Sequence, residues 1–295
     1  MLTPSQPIPN SQYPVSLPHG IQLYLKRTDL IHPSISGNKY YKLKLNLIEA
    51  RKQGYNTLLT FGGAYSNHIA AVAAAGLEHG FQTIGIIRGE ELADKILENP
   101  TLRLAQAQGM QLHFVSRTDY RRKADHEFIE QLKQQFGEFC LIPEGGTNAL
   151  AVQGCEEILT EQDKQEFDYI CCAVGTGGTI AGVINSSSDQ QKILGFPALK
   201  GDFLADEIKR WTARTNWDLC LDYQFGGYAK TTPELLKFIQ EFQNQTNIEI
   251  EPIYTGKMLF GIFDLIERGY FPMSSRILAI HTGGLQGNFS GINST

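Results

Sequence analysis

Short apolar runs alternate with longer amphipathic stretches along almost the whole chain. Ile21-Gln22-Leu23-Tyr24-Leu25 puts an apolar side chain at every second position, the period of a strand with one buried face. Residues 40–53 carry apolar positions at helical spacing and stop at Gly54, which predicts a helix. Residues 57–61 form a β-prone run ended by Gly62-Gly63, and 67–79 are alanine-rich and helical. The same reading predicts strands at 83–87, 111–115, 139–142, 169–174, 192–196, 219–221 and 277–280. It predicts helices at 101–108, 120–136, 149–160, 180–185, 202–210, 233–242 and 257–268. Strands separated by helices throughout imply an α/β fold whose parallel sheets are covered by helices on both faces.

Composition narrows the picture without changing it. A chain of 295 residues, 42% hydrophobic and 19% charged, is globular and long enough for one large domain or two ordinary ones. The net charge of -5 and the absence of a long Lys/Arg block argue against a nucleic-acid partner; Arg121-Arg122-Lys123 is short and flanked by acids. Five cysteines (Cys140, Cys155, Cys171, Cys172, Cys220) lack the C-x-x-C spacing of a zinc site or redox dithiol and read as reduced thiols. No metal is expected. The first 16 residues do not read as a secretory signal, and the apolar run at 69–77 is far too short for a bilayer span. No membrane partner and a cytoplasmic location are therefore expected.

Four segments could carry chemistry. Ser36-Gly37-Asn38-Lys39 places a lysine just after a Gly-Asn turn and at a helix entry, whereas most lysines only solvate a surface. Gly175-Thr176-Gly177-Gly178-Thr179 links an apolar strand to a helix; its free N–H groups and the helix N-terminus suit a phosphate. A dinucleotide loop would need a third glycine and a later acidic residue, and Asp189 comes too early. Gly62-Gly63-Ala64-Tyr65-Ser66-Asn67-His68 is another strand-to-helix turn, with Ser66 or Asn67 as the cap. His281-Thr282-Gly283-Gly284 ends a strand. Neither H-E-x-x-H nor G-x-S-x-G occurs, so a metallohydrolase or serine hydrolase has no support. A lysine, an anion cradle and a hydroxyl at a strand end are what a pyridoxal phosphate site requires.

Together these blocks resemble the fold-type II pyridoxal-phosphate enzymes, most closely the branch of 1-aminocyclopropane-1-carboxylate deaminase and D-cysteine desulfhydrase. Ser36-Gly37-Asn38-Lys39-Tyr40-Tyr41-Lys42-Leu43 resembles that branch's G-G-N-K-x-R-K-L, departing at Ser36 and Tyr41. The Gly62–His68 turn resembles G-G-x-x-S-N-Q/H, Tyr254-Thr255-Gly256-Lys257 resembles Y-E/T-G-K, and His281 to Gly284 resembles H-T/L-G-G. Order and spacing agree from about Arg27 to Gly287. The resemblance implies a tryptophan-synthase-β-like fold with two domains, the larger from 1–42 and 148–295 and the smaller from 43–147, and a homodimer. It implies that Lys39 holds pyridoxal 5'-phosphate and moves the substrate Cα proton, with Ser66 as the other candidate for that step. Gly175, Thr176, Gly177, Gly178 and Thr179 would hold the phosphate, Asn67 the ring oxygen, and Thr282 would face the ring nitrogen. Ser66, Asn67 and His68 would receive the carboxylate of a small amino acid, and Tyr228 and Tyr254 would wall the pocket. The deaminase has glutamate where this chain has Thr255 and leucine where it has Thr282, so both positions match the desulfhydrase pattern. The resemblance therefore implies β-elimination from D-cysteine, with 1-aminocyclopropane-1-carboxylate deamination, a β-replacement enzyme such as a cysteine synthase, or a silent cofactor-binding protein as alternatives.

Overall fold

The computed structural model describes residues 2–201 and 203–285; Asp202, expected to start a helix, and Gly287, the end of the resembling span, lie outside them. The chain opens with β1 (Asn10–Gln12) and β2 (Gln22–Lys26), then α1 (Asn38–Lys52), β3 (Thr57–Gly62), α2 (Asn67–His79) and β4 (Gln82–Arg88). There follow α3 (Pro100–Ala107), β5 (Met110–Val115), α4 (Arg117–Arg121), α5 (His126–Phe136), β6 (Cys140–Ile142), α6 (Ala149–Cys155) and α7 (Glu161–Glu166). The C-terminal part contributes β7 (Tyr169–Val174), α8 (Gly178–Ser186), β8 (Lys192–Pro197), α9 (Phe203–Lys209), β9 (Trp217–Leu219), α10 (Pro233–Thr246), α11 (Thr255–Glu267) and β10 (Arg276–Ile280).

These strands make two sheets. One has six strands in the order β1-β2-β10-β7-β8-β9, parallel except for the antiparallel edge strand β1. The other has four parallel strands in the order β5-β4-β3-β6. The central strand β7 shows why its sequence is continuously apolar: Ile170, Cys172 and Val174 join one core, while Cys171 and Ala173 join the core under α10 and α11. All five cysteines are free thiols.

Four predicted elements differ, each for a local reason. The helix expected over 120–136 is two helices, because Asp125 accepts from the N–H groups of Glu127 and Phe128 and starts a new one. The helix expected over 149–160 stops at Cys155; Thr160 then forms a capping box with Asp163 and opens the unpredicted α7. The strand expected at 219–221 lies two residues earlier, since Trp217 pairs with Ile193 and the chain turns away after Leu219. The helix expected over 233–242 runs on to Thr246, where Asn247, in the left-handed region at φ 56°, ends it.

Close helix contacts hold the site-bearing segments. A Cβ on Gly154 of α6 would lie 2.2 Å from the Tyr41 carbonyl oxygen of α1, so only glycine lets these helices approach so closely. A side chain on Gly182 of α8 would meet the Val152 carbonyl of α6 at 2.5 Å. The helix α1 thus runs across the expected boundary at residue 42 and packs on α6, linking the lysine turn to the glycine loop before α8.

Candidate active site

Parallel strands bring their carboxyl ends to one edge, the usual place for a ligand in α/β sheets. The turn after β3 reaches Ser66, the turn after β7 is Gly175–Thr179, and the end of β10 is His281 to Gly284. The lysine turn is clamped onto this edge. Gly37 sits at φ 64°, ψ -145°, its N–H donates to the Thr28 carbonyl, and the Asn38 N–H donates to the Thr282 carbonyl. A Cβ on Gly37 would lie 1.9 Å from that Thr282 oxygen. Glycine is required by both backbone shape and space. Asn38 then donates from Nδ2 to Thr179 Oγ1 at 2.8 Å, fixing the lysine turn to the glycine loop.

Lys39, Asn67 and Thr282 line one narrow cleft with Ser36, Asn38 and Gly284. Lys39 Nζ lies 3.3 Å from the Gly145 carbonyl, and Lys42 Nζ donates to the same carbonyl at 2.9 Å. Lys42, one helical turn on and 2% exposed, also donates to Thr147 Oγ1 at 3.0 Å and Thr176 Oγ1 at 3.4 Å. Burial, and then the Lys42 charge, push the Lys39 amine well below the ordinary lysine range; burial also lowers Lys42. An uncharged lysine amine is a nucleophile and a base.

The other expected residues are placed as follows. Ser66 caps α2, its Oγ accepting from the His68 and Ile69 N–H groups. The Asn67 side chain fills the space beside Gly284, where a Cβ would meet its Nδ2 at 2.3 Å. Gly177, at φ 83°, shapes the loop at the start of α8. Tyr254 lies over Gly175, and its ring meets that of Tyr228 edge to face at 6.2 Å. Burial raises both phenols, so both keep their protons at neutral pH. Thr255 Oγ1 and Thr282 Oγ1 face each other at 3.5 Å, with Thr255 fully buried.

His68 differs from the expectation. Its ring is 1% exposed and turned inward, with Nε2 2.9 Å from Thr60 Oγ1. Because that hydroxyl donates to the Ile142 carbonyl, it accepts from Nε2–H. The helix pattern explains this: position 68 begins the buried face that continues through Ile69 and Val72. Burial, with Lys39 and Lys42 nearby, keeps the ring neutral.

Lys42, Thr147 and Glu251 were not singled out in the sequence. The spacing of Lys42, three residues after Lys39 on the same helix face, was the available signal. Thr147 follows the left-handed pair Gly145-Gly146, and its hydroxyl lies 2.6 Å from that of Thr176. The buried Glu251 carboxylate accepts from the N–H groups of Ile253, Tyr254 and Thr255, fixing the start of α11.

Charge decides which cofactor suits this edge. A buried lysine amine, Lys42, and a half-buried one, Lys39, converge beside threonine hydroxyls and a helix N-terminus, and among the described residues no carboxylate pairs with either. A phosphorylated aldehyde fits this donor set, its anion answering the unpaired positive field and its carbonyl answering the neutral amine. Such a site at the carboxyl edge of parallel sheets defines a fold-type II pyridoxal-phosphate enzyme. The chain belongs to the family of pyridoxal-phosphate dependent enzymes, which matches residues 3–283. A bifunctional D-cysteine desulfhydrase/1-aminocyclopropane-1-carboxylate deaminase from Arabidopsis thaliana is 30% identical, over 94% of this chain and 76% of the relative. A D-cysteine desulfhydrase from Klebsiella pneumoniae is 26% identical, over 92% of this chain and 89% of the relative. A crystal structure of an ACC deaminase homologue superposes with a TM-score of 0.80 at 28% identity, over 97% of this chain and 93% of that one. The protein is a pyridoxal-phosphate-dependent lyase.

Proposed function

We propose that the enzyme is a D-cysteine desulfhydrase, converting D-cysteine and water to pyruvate, ammonia and hydrogen sulfide. The observation that carries this reading is the pair of neutral hydroxyls, Thr255 at the start of α11 and Thr282 just after β10. A carboxylate there would hold the cofactor's ring nitrogen protonated; a hydroxyl does so less strongly. Expelling a thiolate from Cβ needs less electron withdrawal than opening a cyclopropane. When bound, pyridoxal phosphate supplies the electron sink that acidifies the substrate Cα–H.

The chain's own residues account for the remaining work. Lys39 would hold the cofactor covalently, and its amine would serve as the base toward the substrate Cα proton. Ser66 is the weaker base because its Oγ already accepts two backbone N–H groups. Lys42, Thr176 and the N–H groups of Gly177 to Thr179 would hold the phosphate. Asn67 would hold the ring oxygen and Thr282 would face the ring nitrogen. The start of α2, with Ser66 and Asn67, receives the substrate carboxylate, while His68 supports that turn from below through Thr60. Tyr228 and Tyr254 close the outer side.

The same reading makes residues 43–147 a smaller domain against the rest, and the enzyme a cytoplasmic homodimer; sedimentation equilibrium tests the dimer. Among the described residues no helix is long and apolar enough to cross a membrane. Deamination of 1-aminocyclopropane-1-carboxylate is the second reading, favoured by the bifunctional plant relative. Sulfide release from D- and L-cysteine, run beside 2-oxobutanoate release from the cyclopropane, tests the choice. Sulfide from D-cysteine that is lost in Lys39→Ala supports the first reading; 2-oxobutanoate without sulfide overturns it.

A further inference from the structure

The loop that carries Tyr228 has an unusual backbone. Phe225, Gly226, Gly227 and Ala229 all have positive φ, at 50°, 89°, 114° and 55°, and two of these are not glycine. Such a run persists only where its surroundings hold it. Two successive turns build it: the Gly227 N–H donates to the Gln224 carbonyl, and the Lys230 N–H donates to the Gly227 carbonyl. Both of those carbonyls also accept from one side chain. Lys257 Nζ lies 2.9 Å from Gln224 O and 2.8 Å from Gly227 O. Lys257 is 1% exposed and stands in the first turn of α11, three residues after Tyr254. Its helix therefore carries one tyrosine of the pair, while its amine grips the loop that carries the other.

We propose that Lys257 is a positioning residue that holds Tyr228 against Tyr254 at the mouth of the site by bridging the two turn carbonyls that precede it in the chain. The tyrosine rings meet at 6.2 Å between centroids, and Tyr228 is 41% exposed. Phe225 anchors one end of the loop on Phe260, with ring centroids 5.0 Å apart. Removing the amine frees the loop without opening the core beneath it. The kinetic consequence rests on the proposed desulfhydrase reading, in which the tyrosines face the substrate.

Two measurements test the proposal, and the first is independent of the substrate. In Lys257→Met, amide hydrogen exchange at 224–230 rises at least tenfold while that of 259–266 in α11 stays near wild type. Lys257→Gln, which keeps a donor for one carbonyl, shows a smaller rise and serves as the test if the methionine variant does not fold. In sulfide release from D-cysteine, Lys257→Met lowers kcat/KM at least tenfold, and the loss shrinks to less than threefold in a Tyr228→Phe background. Unchanged exchange at 224–230 overturns the proposal whatever the substrate is. An equal kinetic loss with and without the Tyr228 hydroxyl overturns the link to Tyr228. If D-cysteine is not a substrate, the desulfhydrase reading fails and the exchange result alone decides the role of Lys257.

Discussion

Gly37→Ala tests whether the lysine turn is set by its approach to β10. The backbone at Gly37 has a conformation that is nearly exclusive to glycine, and forcing alanine into it costs about 1–3 kcal/mol. The added Cβ would stand 1.9 Å from the Thr282 carbonyl, where real Cβ contacts stay beyond 3.0 Å, so turn and strand end must separate. That separation is about 1 Å, and a misplacement of this size costs on the order of 100-fold in rate when it moves a reacting group. The expected result is a melting temperature lower by at least about 2 °C and turnover lower by about two orders of magnitude. Thermal melts, the visible absorbance of bound cofactor and steady-state sulfide release measure these together. A variant that melts within about 1 °C of wild type and turns over within threefold would refute the argument, because Lys39 would then be placed by something other than this contact.

Three further outcomes follow from the site. Both lysine amines contact one carbonyl oxygen, so they lie no more than about 6 Å apart, and at an effective dielectric of 20 their repulsion is about 3 kcal/mol. Lys42→Met should therefore raise the Lys39 amine toward its ordinary range and slow pyridoxal phosphate loading at pH 7, with the deficit narrowing as pH rises; a pH-independent deficit would contradict this. Because burial lowers both lysines from 10.5, the unfolded chain carries protons there that the folded apoprotein releases. Stability in urea should then rise with pH between the depressed values and 10.5, and Lys39→Met should remove part of the rise and be the more stable protein at pH 7. Parallel curves would exclude it. Thr255→Glu should shift the ratio of 2-oxobutanoate to sulfide release at least tenfold toward the cyclopropane, and an unchanged ratio would separate this position from substrate choice.

Much of the fold was legible because its strands are buried on both faces and read as unbroken apolar runs, as in Tyr169–Val174. What escaped were features decided by single side chains or by pairing. Asp125 looked like one more polar helix residue until its carboxylate was seen capping α5, and the three-residue strand β1 exists only through its pairing with β2. Within the site, Lys39 was visible because a Gly-Asn turn precedes it. Lys42 was visible only by spacing, since what marks it is burial among hydroxyls far away in sequence. His68 was misplaced for the opposite reason: adjacency to Ser66 and Asn67 suggested a shared role, but successive helix residues point about 100° apart and its ring faces Thr60.

In the proposed reaction, Lys39 carries the covalent link to pyridoxal phosphate. Borohydride reduction of the yellow protein followed by peptide mapping measures it directly, and the nearby Lys42 makes the outcome informative. The expected result is a reduced pyridoxyl group on Lys39 alone, and loss of labelling in Lys39→Ala. Label on Lys42, or none on either lysine, would contradict it.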